Sequence, residues 1–257
     1  MDTELTVDSQ PLTPERKGIA PAWHTVLLLL VLIVFSWGNA QATHHAMTSR
    51  GRIAGYLLTM GWEYILLAYV VWGARLRKIS FRDLVGGRWD TFEDFLTDVM
   101  LAAGFLVAWL LLVGAVAYAL KFLHVVDFSP AAQTRQLEDA KRQIGFLAPQ
   151  TNVETWIFMA LSATAGLCEE VVFRGYLQKQ FIAWTRSVWV GIVLAGIAFG
   201  AGHGYEGLHR MIMISFFGMA FGILAHARKS LRPGMIAHGS WDAIAGLVMR
   251  VVMKLNQ

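Results

Sequence analysis

The sequence predicts an all-α membrane protein, a polytopic transmembrane helix bundle of about seven spans with room for an eighth. Hydrophobic residues make up 56% of the 257 residues and charged residues only 16%, whereas charged residues are nearer a quarter of a soluble domain. Several windows approach or exceed the roughly 18 to 20 apolar residues that cross a bilayer. The lipid bilayer is therefore the first partner that the sequence predicts.

The basic residues do not indicate a nucleic-acid partner. The net charge is +4, but the 22 Lys and Arg residues are scattered between apolar segments and form no basic stripe. Such scattered charges are typical of membrane topology and of contacts with lipid headgroups. The single cysteine, Cys168, excludes an intrachain disulfide framework and any multi-cysteine metal site.

The first half of the chain is predicted to be a tail followed by scaffold helices. Residues 1–20 carry charges and prolines without an apolar period, which predicts a polar, flexible tail. Residues 21–146 hold three apolar spans and no cluster of catalytic residue types, so we interpret them as scaffold helices. The spans lie at about 22–38, 54–73 and 99–120, with an interfacial helix-turn-helix at 79–98 and a short surface helix at 133–142.

Two details of these spans bear on packing. Gly104 and Gly114 in the third span would allow a neighbouring helix to approach closely. Glu63, in the middle of the second span, is an intramembrane carboxylate that needs a partner or a polar pocket. We interpret Glu63 as structural, because no second catalytic residue type accompanies it.

The second half, residues 147–257, is predicted to be a helical core that carries the chemistry. Its four apolar segments differ from the first three because polar residues lie inside them. Ionisable groups at membrane depth cost several kcal/mol, so they face a cavity, pair with each other or do chemistry. The segments lie at about 154–181, 188–206, 208–227 and 234–253.

The first polar cluster lies within the segment 154–181. Glu170 and Arg174 are four residues apart, in the order that suits an ion pair on one helix face. Glu169 lies about 100° round the helix from Glu170 and would face a different neighbour. We therefore expect the first pair to brace the helix and Glu169 to remain free as a general base.

Two further clusters contain histidines. Glycines surround His203, as if it must meet another helix or a ligand without obstruction, and His238 and Asp242 share a helix face at i, i+4. Each has a structural alternative, since a lone membrane histidine is more often a packing residue and the His–Asp pair could be an internal hydrogen bond. Three polar clusters in succession favour a common site.

The motifs resemble the CAAX prenyl endopeptidase and bacteriocin-processing family of intramembrane proteases (CPBP, or Abi). The resemblance covers about residues 147–253. It consists of Glu-Glu-x-x-x-Arg at Glu169 to Arg174, Phe-x-x-x-His at Phe199 to His203, and His-x-x-x-Asp at His238 to Asp242. Each motif alone is weak, but all three in order, each within an apolar segment, make a specific signal.

The resemblance implies hydrolysis of peptide bonds within a membrane cavity. It assigns the activation of water to Glu169 and His203, and the stabilisation of the tetrahedral oxyanion to His238 and the residue at 242. Supporting roles fall to Glu170, Arg174 and Phe199. The prenyl-protein endopeptidases have Asn where this chain has Asp242. Because an ionised aspartate would repel an oxyanion, Asp242 is protonated, orients His238 or binds a metal.

The resemblance also sets expectations for cofactor, substrate and location. We expect that no cofactor is required, with Zn²⁺ as the alternative. We expect the substrate to be a protein or peptide, which could carry a lipid modification. The zinc ligands would be Glu169, His203, His238 and Asp242. The membrane is expected to be the bacterial cytoplasmic (inner) membrane.

Other functions and one geometric difficulty stay open from the sequence. A non-catalytic scaffold or immunity-type protein would use the same fold, and a proton-coupled transporter would also carry intramembrane Glu and His. Straight helices would put His203 and His238 towards opposite leaflets, so the fifth segment must start later, tilt or break at 200–207. We predict that Glu169, His203 and His238 line one cavity.

Overall fold

The computed structural model of the protein describes residues 18–41, 48–127, 129–144 and 147–255, so most of the predicted tail lies outside it. Within those ranges the secondary structure is helical and contains no strand, which confirms the all-α prediction. The helices are α1 (Ala22–Gln41), α2 (Ser49–Arg75), α3 (Phe81–Val85), α4 (Phe92–Phe122), α5 (Pro130–Ile144), α6 (Asn152–Glu169), a π-helix (Glu170–Gln178), α7 (Lys179–Thr185), α8 (Val188–Gly202), a 3₁₀ turn (Gly204–Glu206), α9 (Leu208–Arg228) and α10 (Arg232–Leu255).

Every predicted apolar segment coincides with a helix, and the predicted interfacial and surface helices are α3 and α5. Four described helical stretches are long and apolar enough to cross a membrane, and α1 and α8 contribute shorter apolar helices. The seventh predicted segment is α10, and the total of seven crossings stays a prediction. The four long apolar stretches are Ser49–Arg75, Phe92–Phe122, Asn152–Thr185 and Leu208–Arg228.

Helices α2 and α6 lie side by side and run in the same direction. Arg52 near the start of α2 donates to Glu154 near the start of α6, with 2.8 Å between Nε and Oε2. One turn further along both helices, the rings of Tyr56 and Phe158 meet edge to face with centroids 5.4 Å apart. Two membrane helices that run in the same direction must be separated in the sequence by an odd number of helices that cross the membrane. The long apolar helix α4 supplies one such crossing.

Helices α6 and α10 approach each other closely at two glycines, Gly166 and Gly239. A Cβ added at Gly166 would lie 2.6 Å from the carbonyl oxygen of Met235 and 2.7 Å from the amide nitrogen of Gly239, so the space admits no side chain. By contrast, Gly104 and Gly114 have nothing within 4 Å of an added Cβ. Within the described chain no helix makes use of the close approach that these two glycines would allow.

Helix α8 is short and ends inside the predicted break. Its 15 residues span about 22 Å, less than the roughly 30 Å of a hydrocarbon core. Ser36 of α1 holds the turn that follows: its hydroxyl donates to the carbonyl of Ala201 at 2.6 Å and accepts from the amide of Gly204 at 3.2 Å. The turn begins at His203, as the geometry of the predicted site required.

A buried carboxylate ties α4 to the start of α10. Asp98 of α4 is fully buried and accepts from Trp89 at 2.8 Å and from Arg228 at 3.0 Å, and it forms an ion pair with Arg232 at 3.1 Å. Each partner satisfies part of a charge that would otherwise be expensive to bury. This cluster fixes the first turn of α10, and the motif of His238 and Asp242 follows along the same helix.

The close contact of α6 with α10 gives the first testable prediction. Gly166→Ala introduces a methyl group that the facing backbone cannot accommodate, so we expect a loss of about 1–3 kcal/mol in the free energy of unfolding. Gly104→Ala is the matched control, since it adds the same group in open space. Thermal and denaturant unfolding in detergent measures both. Equal stability of the two variants would contradict the described helix contact.

Candidate active site

The fully buried carboxylate of Glu170 joins the first and third motifs. Its Oε1 accepts from Arg174 Nη1 at 2.9 Å and lies 3.1 Å from His238 Nδ1. Because the carboxylate oxygen accepts, Nδ1 is the donor, which fixes that proton of the imidazole. Arg174 also donates through Nη2 to the carbonyl of Gly218 in α9, at 3.0 Å. One charge pair therefore binds three elements of the core together.

Glu170 and Arg174 lie in a π-helix, where the sequence predicted a continuous α-helix. Residues 170–178 adopt i to i+5 geometry, and all nine are buried. Such segments are rare and occur frequently at functional sites. The predicted ion pair of Glu170 with Arg174 is present, and the wider turn is a feature that the apolar pattern did not indicate.

An aromatic ring, Phe199, lies at the centre of the cluster. The guanidinium carbon of Arg174 is 4.3 Å from its centroid, a cation–π contact. The ring of His203 lies 4.9 Å from the same centroid and that of His238 lies 5.7 Å from it. Because both histidines pack against one phenylalanine, the expected separation towards opposite leaflets does not occur.

Glu169 and Asp242 face the other nitrogen of His238. Glu169 Oε2 lies 3.6 Å from Nε2, and Asp242 Oδ2 lies 3.7 Å from it. Their side chains are 15% and 34% exposed, whereas that of Glu170 is not exposed. The Oε2 atom of Glu169 has no hydrogen-bond partner in the described protein. Glu170 Oε2 likewise has none. The two glutamates differ in charge partner and exposure, because Glu170 is paired with Arg174 and fully buried whereas Glu169 is partly exposed and faces His238.

His203 joins the cluster through Phe199 rather than by a direct hydrogen bond to Glu169 or His238 in the described structure. Its Nδ1 lies 2.9 Å from the carbonyl oxygen of Phe199 and donates to it, so Nε2 is the acceptor of the neutral ring. Asp242 lies within electrostatic reach of His203. The prediction that Glu169, His203 and His238 line one cavity stays a prediction.

Sequence reasoning missed two residues of the first half. Glu63 of α2 is 6% exposed and lies within hydrogen-bonding reach of Glu169, and Ser36 of α1 holds the turn at His203. Our interpretation of Glu63 rested on its isolation in the sequence, and the structure gives it a carboxylate neighbour. A charge within an apolar span was the available signal, but its partner depends on which helices pack together.

The arrangement does not form a recognisable metal site. Within residues 18–41, 48–127, 129–144 and 147–255, no group of three or more His, Cys, Asp and Glu side chains is disposed to hold a metal ion. The zinc ligand set of Glu169, His203, His238 and Asp242 is thus not arranged as a metal-binding group among these residues, and the metal requirement stays a prediction.

The shared carboxylate gives a prediction about stability. Arg174→Met leaves Glu170 buried without its main counter-charge, so we expect a loss of about 3–5 kcal/mol in the free energy of unfolding. Adding Glu170→Gln removes the uncompensated charge, and the double variant should lose less than the sum of the single variants. A double-mutant cycle in detergent measures this coupling. Strictly additive losses would mean that the pair does not act as a unit.

Comparison with known proteins gives one match. Residues 151–244 match a family model described as Rce1-like, type II CAAX prenyl endopeptidase Rce1-like. No curated protein and no solved structure matches the chain. The matched segment begins just before α6, ends within α10 and contains every site residue of the three motifs. With its long apolar helices, the chain is an integral membrane protein whose residues 151–244 match the Rce1-like family of type II CAAX prenyl endopeptidases, the family that its motifs resemble.

Proposed function

We propose that the protein is an intramembrane endopeptidase that hydrolyses peptide bonds of membrane-associated proteins or peptides. The observation that carries this proposal is the division between adjacent glutamates. Glu170 is fully buried and its Oε1 is held by Arg174 and His238, whereas Glu169 is partly exposed and places Oε2 3.6 Å from His238 Nε2. A partly accessible carboxylate beside a histidine is suited to take a proton from a water.

In the proposed reaction Glu169 acts as general base. It accepts a proton from a water while the water oxygen forms a bond to the scissile carbonyl carbon, which gives a tetrahedral oxyanion. Collapse of that intermediate breaks the C–N bond, and the proton passes from Glu169 to the leaving amine. His203, whose Nδ1 donates to the Phe199 carbonyl, presents Nε2 as an acceptor that helps to orient the water.

His238 is the proposed donor to the oxyanion. Glu170 binds the proton on Nδ1, so a second proton on Nε2 would make the ring a cationic donor at the position where negative charge develops. Asp242 lies 3.7 Å from Nε2 and would stabilise that imidazolium. This arrangement gives Asp242 the role of holding His238 rather than of donating to the oxyanion.

The substrate class follows from the membrane and the family match. The matched family is named for prenyl endopeptidases of CAAX proteins, and we propose a membrane-bound polypeptide, lipid-modified or not, as the substrate of this chain. The bacterial cytoplasmic membrane stays a prediction from the sequence.

Replacing the proposed base tests the reaction. Glu169→Gln keeps the size of the side chain but cannot accept the proton, so we expect cleavage to fall by about 10²–10⁴-fold. The measurement is a comparison of protein termini in membranes from cells that make the original or the variant protein. His203→Ala should remove the same termini, whereas the controls Glu93→Gln and His226→Ala, both exposed, should retain them. A cellular function that survives Glu169→Gln would favour a scaffold.

Removal of metal tests the chemistry independently. If Glu169 activates the water directly, protein treated with a chelator and dialysed should cleave its substrate at the original rate. Elemental analysis of the purified protein accompanies the assay. Stoichiometric zinc, whose loss abolishes cleavage and whose return restores it, would overturn the proposed glutamate mechanism.

A further inference from the structure

A cavity of about 220 Å³ lies at the end of the bundle where α9 turns into α10. Its wall is formed by α3, by the junction of the π-helix with α7, and by the end of α9 with the turn of residues 229–231. The cavity reaches from Lys229, which is exposed, to Arg174, whose side chain is only 1% exposed. Because the volume is much larger than a single water requires, the cavity has room for a ligand.

Backbone contacts fix the position of the turn in this wall. The amide of Leu231 donates to the carbonyl of Val85 at 2.8 Å, which fastens the turn to the end of α3. Gly86 follows Val85 with a φ of +85°, and a Cβ added there would collide with the carbonyl oxygen of Lys229. The location of Lys229 at the cavity is therefore set by close backbone packing.

The charged groups of the cavity are positive. Arg174, Lys179 and Lys229 line it, and none of its described lining residues is acidic. The two arginines on either side of the turn are ion-paired with Asp98 of α4. By contrast, neither lysine has an ion pair within the described part of the chain. The two lysines therefore offer positive charge that the protein itself does not neutralise.

The two lysines also keep hydrogen-bond donors for a ligand. Nζ of Lys179 donates to the carbonyls of Asp83 and Leu84, at 2.8 and 2.9 Å, and an ammonium group has three hydrogens. The carboxylate of Asp83 is engaged in the N-terminal cap of its own helix, α3. Because Nη1 and Nη2 of Arg174 already donate within the core, the remaining donors are those of Lys179 and Lys229.

This combination suits the phosphate of a lipid better than a free phosphate ion. Phosphate oxygens accept charge-assisted hydrogen bonds, and lysine is a common partner for them. Much of the remaining wall is apolar and includes Leu84, Ile182 and Ala225, which suits the hydrocarbon of a lipid and not an inorganic ion. Basic pockets between transmembrane helices are typical sites for the headgroups of anionic phospholipids.

Gln178 adds an acceptor to the same wall. Its Nε2 donates to the carbonyl of Gly222 at 3.1 Å. Its Oε1 is buried and has no hydrogen-bond partner in the described protein, although a buried polar atom normally has one. A phosphodiester has no hydrogen to donate, whereas a glycerol headgroup carries hydroxyl groups. A phosphoglycerol headgroup would therefore satisfy both the lysines and Gln178.

We propose that this cavity binds the phosphate group of an anionic phospholipid. Lys179 and Lys229 donate to the phosphate oxygens, and Gln178 accepts from a hydroxyl of the headgroup. The apolar wall contacts the hydrocarbon next to the phosphate. The proposal concerns binding and stability, so it stands or falls separately from the proposed hydrolysis.

Thermal unfolding in an uncharged detergent tests the ligand without an assay of cleavage. Phosphatidylglycerol should raise the unfolding temperature of the full-length protein, because a ligand that binds only the folded state stabilises it. Phosphatidylcholine, whose headgroup also carries a positive charge, should give a smaller shift, and so should millimolar inorganic phosphate. Equal shifts with the two lipids would overturn the proposal. A shift with inorganic phosphate as large as that with phosphatidylglycerol would overturn the assignment to a lipid.

Replacement of one lysine tests the location of the site. Lys229→Met should raise the apparent Kd for phosphatidylglycerol about fivefold, measured by native mass spectrometry of the detergent-solubilised protein. Lys78→Met is the matched control, because Lys78 is also exposed, has the same left-handed backbone (φ 60° against 55°) and lies outside the cavity wall. This control should bind as the original protein does. Equal Kd values for the two variants would contradict the proposed site.

Two further comparisons test the other contacts. Lys179→Met also removes the hydrogen bonds to α3, so its unfolding temperature should be lower even without lipid. The quantity to compare is the shift that phosphatidylglycerol adds, which should be smaller than in the original protein; an undiminished shift would remove Lys179 from the site. Phosphatidylethanol has the same phosphodiester charge but no headgroup hydroxyl and should bind more weakly. Equal binding of the two lipids would overturn the role of Gln178.

Discussion

Burial of the Glu170 carboxylate is the constraint on which the rest of the core depends. A charge removed from water must find partners of opposite charge and hydrogen-bond donors, or the fold loses several kcal/mol. Arg174 and His238 supply both. Because these partners come from the π-helix and α10, the charge requires those helices to meet, and the carbonyl of Gly218 brings α9 to the same point. The placement of His238 beside Glu169 is a consequence of this requirement.

Much of the fold was predictable because membrane-spanning helices can be recognised in a sequence by their length and apolar composition. The apolar segments, the surface helix and the ion pair of Glu170 with Arg174 could all be derived from residue order and spacing. The break near His203 could also be anticipated, since the glycines there and the depth of the two histidines left few alternatives. All of these features depend on residues that are close together in the sequence, and the helices of the structure agree with them.

Contacts between distant helices could not be derived in the same way. An apolar helix in lipid can bury any of its faces, so periodicity does not reveal that α2 packs along α6. For that reason Glu63 was interpreted without its neighbour, and Gly104 and Gly114 were chosen as contact points instead of Gly166 and Gly239. The π-helix was missed because its apolar residues fit an α-helix equally well. The catalytic roles of these residues stay proposals, because the spacing of residues in the sequence can predict that they lie close together but not that they react.

The parallel arrangement of α2 and α6 has a consequence for how the protein is made. Arg52 and Glu154 are separated by 102 residues, so α2 leaves the ribosome and meets the bilayer long before its partner has been synthesised. During that interval Glu63 must enter lipid as a lone acid, at a cost on the order of 3 kcal/mol if it is ionised. The insertion of α2 therefore precedes the packing against α6 that encloses this carboxyl group.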